Sequence, residues 1–253
     1  LKSFMDGELD CDKMDYLLRD SLYCGVNYGK FDIERLLSSL TIDGKEGFPR
    51  LAIDYGGLKV FEEFVLARYF MFTEVYFHRT RRYFDIVLGE ALKTILPNGK
   101  YPEEVTSYLY WDDGRVLQEC RNRVDDTNCQ SIVGRHVYSC VLETPAHAEG
   151  EQLRTYDNLK KRLYKKFGEK FFIEDESADK LPHKIPVRCE IEDEKAIISF
   201  NKRMKKRVSV SEESYIIRAL ATKIGIKRLY AHPKVARKAK KIVSDWYDSN
   251  RGG

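Results

Sequence analysis

Four aspartates, Asp10, Asp12, Asp15 and Asp20, share residues 9–21 with Lys13, Tyr16 and Arg19. Carboxylates and cations at that density are the groups that bind metal ions, phosphates and sugar hydroxyls. At about 100° per residue the stretch reads as a helix opened by an Asp10 cap. Asp12, Asp15, Tyr16, Arg19 and Tyr23 then fall on one face, and Met14, Leu17, Leu18 and Leu22 on the other. A solvated amphipathic helix has the same division, so a role for the polar face depends on what accompanies it.

The elements that must position this face follow from breaks in the pattern. Cys24 to Lys30 reads as a turn, and Phe31 to Leu37 as a second helix capped by Asp32 or one of its neighbours. Arg50 to Asp54 is a short strand ended by Gly56-Gly57. A proline-free run from Leu58 to Leu96 then predicts one long central helix, stopped by Pro97-Asn98-Gly99. Residues 102–121 and 126–142 predict two more helices, and Gly150 to Phe167 a charged one. Asp175 to Pro186 is read as a linker. Beyond it the pattern changes to short β-type runs at Val187 to Ile191, Ala196 to Phe200, Val208 to Val210 and Leu229 to Ala231. Ser211 begins a helix among them, and Pro233 opens a last amphipathic helix. The expected organisation is a helical lobe over residues 1–170 and a small basic α+β subdomain over residues 171–253.

Composition narrows the setting. A chain of 253 residues with 43% hydrophobic and 33% charged residues can bury a proper core. No apolar run approaches the roughly 18 residues that a membrane span needs. Six cysteines without a C-x-x-C pair predict neither a zinc knuckle nor a redox dithiol, and a reducing, cytoplasmic location is expected. The net charge of +4 is uneven: residues 201–253 hold 15 Lys and Arg against 4 Asp and Glu, a balance of +11 that leaves −7 for the rest.

The string Asp10-Cys11-Asp12-Lys13-Met14-Asp15-Tyr16-Leu17-Leu18-Arg19-Asp20 resembles the D-x-D-K/R-x-D-Y-x-x-R-D segment of HD-domain phosphohydrolases of the deoxynucleoside triphosphate triphosphohydrolase type. Phe31-Asp32 with Arg35, Ala67-Arg68-Tyr69, Val75-Tyr76-Phe77-His78, Asp112-Asp113, Arg135 and Arg228-Leu229-Tyr230 follow that family's order, so the resemblance runs along nearly the whole chain. It implies a mainly α fold: the C-terminal part of an all-helical HD-domain phosphohydrolase with a small α+β C-terminal appendage. The implied reaction is hydrolysis of a dNTP to the deoxynucleoside and triphosphate, at a divalent metal (Mg, Mn, Fe, Ni or Zn).

By that resemblance Asp12 is a metal ligand. Lys13 and Arg68 touch the phosphates, Tyr16 and Asp20 the sugar hydroxyl, and Tyr76 the deoxyribose face. Arg35, His78 and Arg79 match a regulatory nucleotide site between subunits. The remaining family ligands, a histidine and a His-Asp pair, have no counterpart here: none of the five histidines precedes an aspartate and all follow Asp12. Leu1 is accordingly expected to be an internal position, an upstream fragment of the same enzyme is the expected partner beside a nucleotide substrate and further copies of the chain, and no catalytic set is complete in these residues.

Other readings compete. Helical counting separates Arg68 from Tyr76 by about 80°, so they can share a pocket, and Tyr76 from His78 by about 160°. Arg68 also suits an ion pair with Glu74 or Asp15, and Asp112-Asp113 suits a cap. The run from Asn201 to Arg207 attracts polyanions without aromatic residues to stack bases. The last helix carries a packing stripe of Val235, Ala239, Ile242, Val243 and Trp246, expected to dock on the helical lobe or a subunit partner. Two alternatives therefore stand beside the first: an HD phosphohydrolase for another phosphomonoester or cyclic nucleotide, and a nucleotide- or nucleic-acid-responsive oligomerisation module. No membrane partner is expected.

Overall fold

The computed structural model describes residues 5, 7–44, 50–176, 181–187, 196–201 and 204–250. The chain is mainly α with two small sheets, and it divides into two compact units, each built from two separated stretches: 1–76 with 179–224, and 77–178 with 225–253. A single cut after residue 170 is therefore not where the chain divides.

In the first unit, helix α1 (Cys11–Tyr23) starts at the Asp10 cap, whose carboxylate accepts the Lys13 N–H at 2.7 Å. Met14 and Leu17 are buried as the periodicity requires, whereas Leu22 is exposed and Ser21 takes the inward place. Ser21 serves the turn there, its hydroxyl donating to the Val26 carbonyl. Gly29 closes this turn against α1: a Cβ would lie 2.3 Å from the Leu17 carbonyl oxygen. Helix α2 (Ile33–Ser39), capped by Asp32, leads into strand β1 (Leu40–Asp43), which pairs antiparallel with β2 (Arg50–Asp54). Strand β2 then pairs parallel with the distant residues 198–200.

Helix α3 (Leu58–Phe70) supplies Phe61, Phe64 and Val65 to a core shared with Leu17, Leu36, Val210 and Ile217. Each such side chain contributes on the order of 1.5–3 kcal/mol by leaving water. The long helix expected over residues 58–96 is not continuous. After α3 the backbone widens into a π-helical segment (Met71–Tyr76) and breaks at Phe77 and His78. His78 is extended (φ −56°, ψ 133°) and its Nδ1 accepts the Thr80 N–H at 3.3 Å, so it caps the next helix as an Asp or Ser would. The missing proline hid this break from the sequence pattern.

The second unit begins with that helix, α4 (Arg79–Ile95). The helix expected over 102–121 is two, α5 (Val105–Leu109) and α6 (Asp113–Asn122), because Asp112 caps the second by accepting the Arg115 N–H at 2.7 Å. The helix expected over 126–142 stops as α7 (Thr127–Gly134), where Arg135 adopts the left-handed conformation (φ 53°). The rest of that segment is strand β3 (Ser139–Glu143). Helix α8 (Gly150–Phe167) is as expected, and strand β4 (Phe172–Glu176) takes in Asp175, which is thus no linker residue.

Residues 177–180 and 188–191 of the expected linker and strand lie outside the described residues, as do 202–203 of the basic run. Strands β5 (Ile198–Asn201) and β6 (Lys206–Ser209) complete the first unit's sheet in the order β1-β2-β5-β6, followed by short helices α9 (Val210–Glu213) and α10 (Tyr215–Ala219). Strand β7 (Lys227–Ala231) is the centre of the second sheet, order β3-β7-β4, and helix α11 (Pro233–Ser249) ends the second unit.

Alternation along β7 sorts its side chains. Leu229 and Ala231 pack with α8 and α11, while Tyr230 packs with Tyr83 and Val87 of α4. The stripe of α11 is consumed here: Val235, Ala239 and Val243 belong to the second unit's own core, with Ile242 and Trp246 packed against it. No helix among the described residues is long and apolar enough to cross a membrane.

Candidate functional site

The polar face of α1 and the end of α3 meet within the first unit. Arg68, in the last turn of α3, has its Nε and Nη1 atoms buried with no hydrogen-bond partner among the described residues. Neither Glu74 nor Asp15 pairs with it, and Asp15 instead pairs with Arg19 at 2.8 Å on the surface. The Arg68 guanidinium carbon lies 5.5 Å from the centre of the Phe72 ring. Phe72 meets Tyr76 edge-on at 5.3 Å, and Tyr76 meets Tyr16 edge-on at 6.2 Å. A cation and three aromatic rings thus form one wall.

The π-helical segment explains the alignment. Its wider turn rotates less per residue than an α-helix, which brings Arg68, Phe72 and Tyr76 nearer to one line than the helical count allows. Tyr76 is fixed from the other side, its hydroxyl donating to Asp20 Oδ2 at 2.8 Å. Burial first, and then that carboxylate, push the Tyr76 phenol well above its ordinary range. Tyr16 is raised too, by burial, with the Arg68 charge opposing. Both phenols therefore stay protonated and serve as hydrogen-bonding and packing groups.

Two neighbours carry no sequence signal of their own. Glu8, just before the Asp10 cap, has a buried Oε2 without a partner among the described residues. Its charge is felt by Tyr16 and by His183. His183 is 2% exposed, with Nε2 3.1 Å from the Ile217 carbonyl and Nδ1 accepting the Ile185 N–H at 3.2 Å. Burial holds its pKa below the usual value, so it is a neutral imidazole with both nitrogens used. Glu8 and Arg68 thus bring an unspent acceptor and unspent donors to the same neighbourhood, while His183 is structural.

The remaining expected residues are placed less simply. Lys13 donates through Nζ to the Gly7 carbonyl at 2.7 Å and pairs with Asp10, so most of its capacity is already used. Asp12 is exposed in the first turn of α1. Among the described residues no group of three or more His, Cys, Asp or Glu side chains can hold a metal ion, and a single carboxylate does not make a site. These residues alone do not fit a metal centre. Arg35, whose Nη2 donates to the Gly56 carbonyl at 3.2 Å, belongs to the first unit, and His78 and Arg79 to the second. Asp112 and Arg135 are a cap and a helix end.

Arg228-Leu229-Tyr230 is structural throughout. Arg228, 2% exposed, donates to Glu143 at 2.7 Å and to Asp175 at 3.4 Å. Arg82 donates to the same Asp175 at 2.8 Å, and the Tyr230 hydroxyl to the Arg79 carbonyl at 2.7 Å.

Comparison with known proteins bears on this arrangement. A family model described as "HD associated region" matches residues 31–225. The uncharacterised protein YwfO of Bacillus subtilis is 36% identical over 90 residues, and an uncharacterised protein of Methanocaldococcus jannaschii 38% identical over 88. These alignments take in 36% and 35% of this chain, but 20% of each relative. Among solved structures, a hypothetical protein from Aquifex aeolicus superposes with a TM-score of 0.75 at 28% identity, over 94% of this chain and 58% of that one. A phosphohydrolase from Bacteroides thetaiotaomicron superposes with a TM-score of 0.63 at 20% identity, over 91% and 63%, and that likeness speaks to the fold. The chain spans less than two thirds of either structure.

Proposed function

Since this chain belongs to the HD associated region family, and is thereby related to the HD superfamily, we propose that it supplies the substrate-contacting wall of a metal-dependent phosphohydrolase acting on deoxynucleoside triphosphates. The products are the deoxynucleoside and inorganic triphosphate. One observation carries this reading: a half-buried guanidinium, two of whose nitrogens are buried with no partner among the described residues, stands beside a row of aromatic rings. A buried cation without an acceptor is costly, and an anionic ligand offsets that cost.

In this reading Arg68 holds a phosphate oxygen of the substrate. Tyr76, oriented by Asp20, presses on the sugar and leaves no room for a ribose 2′-hydroxyl, and Tyr16 backs it. Glu8 offers an acceptor to a hydroxyl or N–H of the ligand. Asp12 is the one residue of the chain proposed as a metal ligand, and no chemical step is assigned to the ion here because the described residues do not complete its site.

The test is incubation with each dNTP and Mn²⁺, with products separated by anion-exchange chromatography. The chain by itself is expected to leave the nucleotides intact. Combined with a region carrying a His and a His-Asp pair, it is expected to release triphosphate. Release of orthophosphate would move the substrate to another phosphoester, and turnover by the chain alone would overturn the reading.

A further inference from the structure

The sequence draws attention to the basic run at 201–207, but the structure gathers positive charge elsewhere, on the paired helices α8 and α11 of the second unit. Both pack on the same face of the β3-β7-β4 sheet and against each other. Their apolar residues are spent in that core, so their outer faces are fixed. At about 100° per residue, Arg154, Lys161 and Lys165 line the outer face of α8, and Lys234, Arg237 and Lys241 that of α11. All six are exposed, and none is ion-paired among the described residues. The row on α8 extends over 12 residues, roughly 16 Å, and that on α11 over eight, roughly 10 Å. The acidic Asp245 and Asp248 lie in the last turns of α11, after Lys241.

We propose that this two-helix layer binds the sugar-phosphate backbone of a nucleic acid double helix, independently of sequence. Unpaired cations in two neighbouring rows complement a polyanion, and a duplex presents about one charge per 1.7 Å of its axis. No aromatic side chain stands between the cations on the outer faces to stack an unpaired base, which favours a duplex over a single strand. The surface is separate from the Arg68 wall, which lies in the other unit, so it adds a partner to the proposed enzyme without altering its reaction.

The test is fluorescence anisotropy of a fluorescein-labelled 20-base-pair duplex titrated with the whole chain between about 50 and 200 mM KCl. Saturable binding that weakens linearly in log affinity against log salt is expected. The variant K161Q/K165Q/K234Q/R237Q/K241Q should lower the magnitude of that slope by about 4 and weaken binding more than tenfold at about 100 mM KCl. The control K30Q/K184Q/K205Q, whose changes are exposed and in the first unit, should bind as the parent does. Because the salt slope of the unaltered protein is an independent readout, the result does not hang on one variant. Absence of binding at about 50 mM KCl, or unchanged binding by the five-site variant, overturns the proposal. So does sedimentation with phosphatidylserine vesicles without duplex binding, which would assign the layer to an anionic membrane surface.

Discussion

One cluster of charge in each unit, around Arg68 in the first and around Arg228 in the second, is bonded in the opposite way from the other. In the second, Arg82, Asp175, Arg228 and Glu143 form a closed chain in which the most buried members, Asp175 and Arg228, each meet two partners. In the first, Arg68 and Glu8 hold buried polar atoms that no described residue answers. The sequence motifs do not distinguish the two, since Arg68 and Arg228 both sit in segments that resemble the same enzymes. Bonding does: a satisfied guanidinium fastens strands together, and an unsatisfied one is kept for something that arrives.

Stability separates them most strongly. Arg228→Met leaves Asp175 with Arg82 alone and takes away the Glu143 partner, and is expected to cost about 3 kcal/mol in urea unfolding. Arg68→Met removes a cation with no hydrogen-bond partner at Nε or Nη1 among the described residues and is expected to be neutral or to stabilise by about 1 kcal/mol. Equal losses for the two would erase the comparison. A smaller effect comes next, where Tyr76→Phe removes one hydrogen bond to the Asp20 carboxylate and should cost about 1–2 kcal/mol, with the circular dichroism spectrum unchanged.

The smallest effect sharpens the comparison from the side of the second unit. Glu104 caps α5, and hydrogen bonds from Ser107 and from the Thr106 and Ser107 N–H groups hold its carboxyl down to about 2. A depressed folded pKa gives stability that is fully present above the unfolded value near 4.5 and lost as pH falls through about 2. Glu104→Gln should therefore lower stability slightly at neutral pH and flatten its fall across that acid window, as pH-dependent unfolding curves would show.

Local chemistry was legible in the sequence. Asp10, Asp32 and Asp112 cap helices because a short carboxylate reaches N–H groups two or three residues on, and Pro97-Asn98-Gly99 ends a helix in positive-φ turns at Asn98 and Gly99. The same local logic failed at His78, a capping residue of a rarer kind, and at Ser139–Glu143, whose strand exists only because Leu229 and Tyr230 are there to pair with it. Tertiary pairing overrode helical pattern in that segment.

The candidate wall was half legible. Arg68 and Tyr76 lie along one wall, as their helical spacing implies, with Tyr16 and Asp20 in contact with Tyr76. Phe72 passes for a core aromatic until the π-helical turn places it between Arg68 and Tyr76, and Glu8 is one more acidic residue until its burial is seen.

Isothermal titration of inorganic triphosphate into the unaltered chain and into Arg68→Met, at about 150 mM KCl to screen attraction to the exposed cations, asks whether Arg68 holds a phosphate. One saturable site is expected in the unaltered chain and at least tenfold weaker binding in the variant, with unfolding stability retained. Triphosphate binding that is the same in both would contradict that role.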